Sequence, residues 1–137
     1  MLVALACNEY TKKFGVTLSE EETNILLSDR KDSLQHEGRI EFGEGILPKL
    51  IYAFCDSPYI YQDNYVDTMA SLQRIFYLYK NESLDELTDD ELISYMKDKF
   101  NGICQGSVEY LEDTSLESFA RELREGTHSF RGGWRVE

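Results

Sequence analysis

Apolar positions recur along this chain at helical spacing almost everywhere, and the stretch from Gly43 to Lys80 carries the strongest pattern. In its first half Ile46, Leu47, Leu50, Ile51 and Phe54 share one face over about two and a half turns. Pro48 suits the start of that helix, where a missing N–H costs little, and Ser57-Pro58 ends it, because the residue before a proline is pushed out of the α region. The second half opens at Asp63, an N-cap residue type, has Asp67 one turn in to complement the helix dipole, and runs to Lys80. Its seam is Tyr65, Met69, Leu72, Phe76 and Tyr79. Ile75, Tyr77 and Leu78 widen the seam until the last two turns are apolar nearly all round, the mark of a helix covered by neighbours. This helix is expected to form the core.

The flanking segments read as further helices. Val3, Cys7, Tyr10 and Phe14 make a narrow stripe that ends at Gly15, a glycine placed for a left-handed cap. Ser19 with Glu22 is a capping box, and three glutamates at the helix start suit its dipole, so a helix is expected from Glu20 to about Glu37, stopping at Gly38. Its apolar residues, Ile25, Leu26, Leu27 and Leu34, form a thin stripe that packs on the core from outside. Thr88 with Glu91 is a second capping box, opening a helix whose seam is Leu92, Met96, Phe100 and Ile103 and which Gly102 ends or kinks. A break and restart at Ser107 is expected, and Ser115 is the expected cap of a last helix carrying Leu116, Phe119, Ala120 and Leu123, with Gly126 just after it.

Two short stretches have another period. Arg39-Ile40-Glu41-Phe42 alternates polar and apolar between glycines, the pattern of a short half-buried strand. In the tail, Thr127 to Glu137, aromatic-containing runs flank Gly132-Gly133, a hairpin signal whose alternative is a frayed terminus. The fold expected is therefore all-α, one domain of five or six helices over residues 1–126, with at most short β pieces at 39–42 and in the tail at 127–137.

Composition narrows the function classes. At 137 residues and 42% hydrophobic the chain can build one real core. With 14 Lys and Arg against 26 Asp and Glu, the net charge of −12 disfavours phosphate backbones and anionic membrane surfaces as partners. Cys7, Cys55 and Cys104 are an odd number without C-x-x-C spacing, as expected of buried thiols in a reducing cytoplasm. The N-terminal LVALAC lacks the basic region and the apolar length of a signal peptide, so a cytoplasmic protein is expected.

Candidate chemistry is sparse. His36 and His128 stand apart on polar segments without ligand spacing, so neither metal nor cofactor is expected. Cys55 precedes Asp56, which would raise a thiol pKa, and Gly43-Glu44-Gly45 lacks the lysine and hydroxyl of a phosphate cradle. One cluster stands out. Tyr52, Tyr59, Tyr61 and Tyr65, with Asp56, Gln62, Asp63 and Asn64, crowd the turn between the two central helices. Tyrosine pairs an apolar body with a polar tip, suited to a recognition surface and equally to closing the end of a bundle. Glu44, Tyr52, Asp56, Tyr59 and Tyr61 are the candidate binding surface.

Gly38 to Ile60, GRIEFGEGILPKLIYAFCDSPYI, resembles a family of small uncharacterised proteins, a domain of unknown function, from Gram-positive anaerobic bacteria, and the resemblance runs from about Asn8 to Gly126. It implies a bacterial cytoplasmic protein and carries no catalytic residue with it. Three readings follow: a non-catalytic module that binds a protein partner, an enzyme built on Glu44, Asp56 and Asp63, and an acidic decoy for a nucleic-acid-binding protein. Helical composition and the lack of a catalytic frame favour the first. The acids are mixed with Lys and Arg along every helix, an ordinary solvated surface, which weakens the third.

Overall fold

The computed structural model describes residues 3–83 and 86–125, and among them every regular element is helical. The all-α expectation holds. The chain forms two compact units, Met1–Tyr77 and Leu78–Glu137, and the division falls inside one continuous helix.

The first unit begins with α1 (Val3–Ala6) and α2 (Asn8–Thr11), followed by a 3₁₀ turn, Lys12–Phe14, that Gly15 closes at φ +86°. The buried line here is Ala4, Cys7 and Thr11, whereas Val3, Tyr10 and Phe14 are exposed, so the expected apolar stripe is corrected. Polar groups of this segment are needed inward. Asn8 binds Leu18 with both ends of its amide (2.7 and 2.8 Å), and Thr11 Oγ1 donates to the Val16 carbonyl (2.8 Å). Gln62 does the same for Thr17, accepting from its N–H and donating to its carbonyl, both at 2.9 Å. Side-chain amides thus satisfy a connecting segment that has no ladder of its own.

Next comes α3 (Glu20–Glu37), with the Ser19–Glu22 capping box formed and Gly38 at φ +69°, as the sequence predicts. Its buried line, Thr23, Leu26, Arg30 and Leu34, includes an arginine, while Ile25 is exposed. The segment Arg39–Phe42 is not a strand: it has no regular structure, and Ile40 and Phe42 are 86% and 90% exposed. Helix α4 (Leu47–Phe54) carries Pro48 in its first turn and buries Leu47, Leu50, Ile51 and Phe54 as expected. A 3₁₀ turn, Gln62–Asn64, then leads into α5 (Tyr65–Glu82), so Asp63 lies within that turn and is not the cap of α5. The seam reading of α5 holds: Tyr65, Met69, Leu72, Phe76 and Tyr79 are buried, with Ile75 and Tyr77 beside them, while Leu78, expected to widen the seam with these two, is half-buried. Gln73 enters this core by donating to the Leu26 carbonyl (3.0 Å), which ties α5 to α3.

In the second unit, α6 (Asp89–Asn101) opens on the Thr88–Glu91 capping box and buries Leu92, Ile93, Met96 and Phe100. Gly102 ends it, and Ile103, thrown out of helical register, is 65% exposed, against its expected place in the seam. The helix restarts at Ser107, whose side chain accepts from the Tyr110 N–H (3.1 Å). From there α7 (Val108–Tyr110), a π-helical stretch (Leu111–Leu116) and α8 (Glu117–Glu125) run on without a break. No helix starts at Ser115, which lies inside the π segment. The wider turn frees a carbonyl, and the Tyr79 hydroxyl donates to Glu112 O (2.7 Å), a side chain entering the backbone ladder. Tyr95 of α6 stacks on Phe119 of α8 at 4.1 Å between ring centres. The expected Gly126 cap and the Thr127–Glu137 hairpin lie outside the described residues.

Candidate functional site

The five residues expected to form a binding surface have separate local roles. Glu44 is spent on the backbone: its carboxylate accepts from the N–H of Val3 (2.7 Å) and of Ala4 (2.8 Å), groups that begin α1 without helical partners. Both oxygens are engaged there, which is poor preparation for a general base. Tyr52 is about half exposed and sets its ring 5.3 Å from Tyr10, which meets Phe14 edge-on at 5.5 Å. Lys13 Nζ lies 4.1 Å over the Tyr10 ring. A hydrogen bond with Cys7 raises the Tyr52 pKa above its ordinary value, and burial raises that of Cys7, so this thiol is not activated.

Asn64 joins Tyr59 and Tyr61, donating to the Tyr59 carbonyl (3.1 Å) and accepting from the Tyr61 N–H (2.8 Å). Tyr61 is 58% exposed, Tyr59 half-buried, and Asp56 lies exposed in the turn after α4. Two of the tyrosines therefore share one turn, Tyr52 groups with α2 residues, and Glu44 belongs to α1.

A different constellation sits at the loop that sequence reading took for a strand. Arg30, on the buried line of α3 and only 8% exposed, faces Glu41 at 3.3 Å. The hydroxyl of Tyr77, fully buried on α5, donates to the same Glu41 oxygen. Burial and then the Glu41 hydrogen bond push the Tyr77 pKa well above the ordinary phenol value, so this hydroxyl is a donor and not an anion at neutral pH. Gly45 closes over the pair at φ +61°. A Cβ there would overlap the Glu41 carboxylate and press on the Arg30 guanidinium, so the position needs glycine twice over.

Pinned this way, the loop turns its polar side chain inward and its apolar ones out. A groove of about 350 Å³ runs beside it, lined by Leu27, Arg30, Lys31, Leu34, Gln35, Arg39, Ile40 and Glu41. The loop's own residues Ile40 and Phe42 are large, apolar and almost fully exposed. The sequence held one signal for this arrangement. An arginine in helical register with Thr23, Leu26 and Leu34 must find a buried acceptor, and Glu41 is close in the chain.

Among the described residues no group of three or more His, Cys, Asp or Glu is placed to hold a metal ion, and no helix is long and apolar enough to cross a membrane. No curated protein and no solved structure matches the chain. Over residues 3–129, a span that takes in both capping boxes, the Arg30–Glu41–Tyr77 cluster and the glycine that covers it, the chain belongs to the family of unknown function DUF6323.

Proposed function

We propose that this protein is a non-catalytic module that binds a protein partner through the Arg39–Phe42 loop. The observation that supports it most is the exposure of Ile40 and Phe42, at 86% and 90%, on a loop fixed from behind by Glu41. Leaving two such side chains in water forgoes about 1.5–3 kcal/mol each. A loop held in place loses less conformational freedom on binding than a loose one, which favours its use as a contact. Tyr61 remains a second exposed aromatic, with the half-buried Tyr59 beside it in the same turn, and Glu44, bound to α1, is a structural residue in this reading.

The test compares capture of proteins from source cells by the tagged chain and by its Ile40→Ser/Phe42→Ser variant. Because both positions are exposed, the variant is expected to melt with the parent, within about 0.5 kcal/mol. The expected outcome is a stoichiometric protein retained by the parent and lost by the variant. Equal retention by both, or no stoichiometric protein with either, overturns the reading.

A further inference from the structure

The Arg39–Phe42 segment has the residue alternation of a strand and no strand beside it. Among the described residues the backbone of Ile40 and of Glu41 makes no hydrogen bond, and Phe42 uses only its carbonyl, which accepts from the Gly45 N–H at 3.3 Å. Arg39 is the last residue tied back, through its N–H to the Leu34 carbonyl at 2.9 Å. Such a stretch presents backbone donors and acceptors to solvent with apolar side chains on alternate positions, as an edge strand does. It is bounded by the left-handed glycines Gly38 and Gly43, and its middle is held by Glu41.

We infer that the loop binds an extended segment of the partner by backbone pairing, with apolar partner residues on Ile40 and Phe42 and an acidic residue toward Lys31 and Arg39. This rests on the binding reading above and names the class of partner. Charge supports the acidic preference. The groove beside Ile40 is lined by Lys31 and Arg39 together with the Arg30–Glu41 pair, whose charges offset each other. A basic segment would meet like charge there and an acidic one its complement, a local preference set against the net charge of −12 on the whole chain.

The test uses the full chain, ¹⁵N-labelled, and three short capped peptides: valine alternating with aspartate, the same peptide N-methylated along its pairing edge, and valine alternating with lysine. The valine–aspartate peptide is expected to shift the amide signals of Ile40, Glu41 and Phe42 and to slow their hydrogen exchange. The N-methylated peptide, which keeps every side chain but loses the backbone donors, is expected to leave them unmoved, and the lysine peptide to bind at least about tenfold more weakly. If the N-methylated peptide binds as well as its parent, contact is through side chains and strand pairing is overturned, although capture that depends on Ile40 and Phe42 would keep the broader binding reading. If the lysine peptide binds as tightly as the aspartate one, the acidic preference is overturned. If no peptide moves these amides, the inference fails whatever the capture experiment shows.

Discussion

Two regions of this chain carry the same kind of signal and come out opposite. In α5 the periodic apolar residues point inward, from Tyr65 to Tyr79. In Arg39–Phe42 the periodic apolar residues point outward, and the polar Glu41 faces the interior. Periodicity states that two faces differ, and energy decides which is buried. Along α5 the contest is slight, because the seam has five apolar positions and the polar residue buried beside it, Gln73, donates to the Leu26 carbonyl. At Arg39–Phe42 there is one. Turning Ile40 and Phe42 inward would gain about 1.5–3 kcal/mol each. It would also leave Arg30 buried without its carboxylate, about 3–5 kcal/mol, and take the acceptor from the Tyr77 hydroxyl, about 1–3 kcal/mol more. It would still supply no neighbouring strand. The polar cluster wins, and the apolar pair is left in water.

The largest expected effect tests the α5 side of this comparison. Phe76 is 1% exposed at the middle of the seam, and Phe76→Ala removes a large buried side chain and leaves a cavity, with an expected cost of about 3–5 kcal/mol in urea melts. A silent substitution would mean that α5 is not central. The next effect tests the loop side. Glu41→Ala leaves the Arg30 guanidinium and the Tyr77 hydroxyl without their shared acceptor, and about 4 kcal/mol is expected, the low end of the combined cost because the Glu41 side chain is 23% exposed and water can reach the vacated site. The double change Arg30→Met/Glu41→Leu should recover most of that loss. If Glu41→Ala is neutral, something other than this cluster sets the loop's orientation.

A smaller effect measures how much of the architecture is local. Ser19→Ala and Thr88→Ala each remove a cap whose reciprocal bonds are formed, and each should cost about 1 kcal/mol by thermal or urea melting. These two boxes were fully legible in the sequence, because both partners lie within four residues and need nothing from the rest of the chain. The same holds for Gly38 and for Pro48. What was not legible needed distant partners. Ser115 has the residue type of a cap, but the Tyr79 hydroxyl reaches the Glu112 carbonyl and the helix passes through as a π turn. Asp63 has the type of an N-cap, but the Asn64 side chain holds the turn ahead of α5. Val3, Tyr10 and Phe14 looked like a core stripe because nothing local shows that Asn8 and Thr11 must face Val16 to Leu18. Of the candidate surface, Tyr52 and Tyr61 are exposed; the role of Glu44 as a helix cap came only from the fold, and of the Arg30–Glu41–Tyr77 cluster the sequence showed only an arginine in apolar register.

The smallest effect separates the two regions most sharply. Phe42→Ser replaces an aromatic residue that is 90% exposed, and Phe76→Ala one that is 1% exposed. Side chains of the same type thus differ in what they leave behind: Phe42 vacates water and Phe76 vacates packed neighbours. The expected cost of Phe42→Ser is within about 0.5 kcal/mol, several times below that of Phe76→Ala. Solubility should rise, because a large apolar ring leaves the surface. The two variants, melted in urea under one set of conditions, form an internal control for the burial pattern. Should Phe42→Ser destabilise as much as Phe76→Ala, then Phe42 is buried in solution, the alternation of Arg39–Phe42 points inward as its sequence pattern suggests, and the loop is not the exposed contact proposed for it.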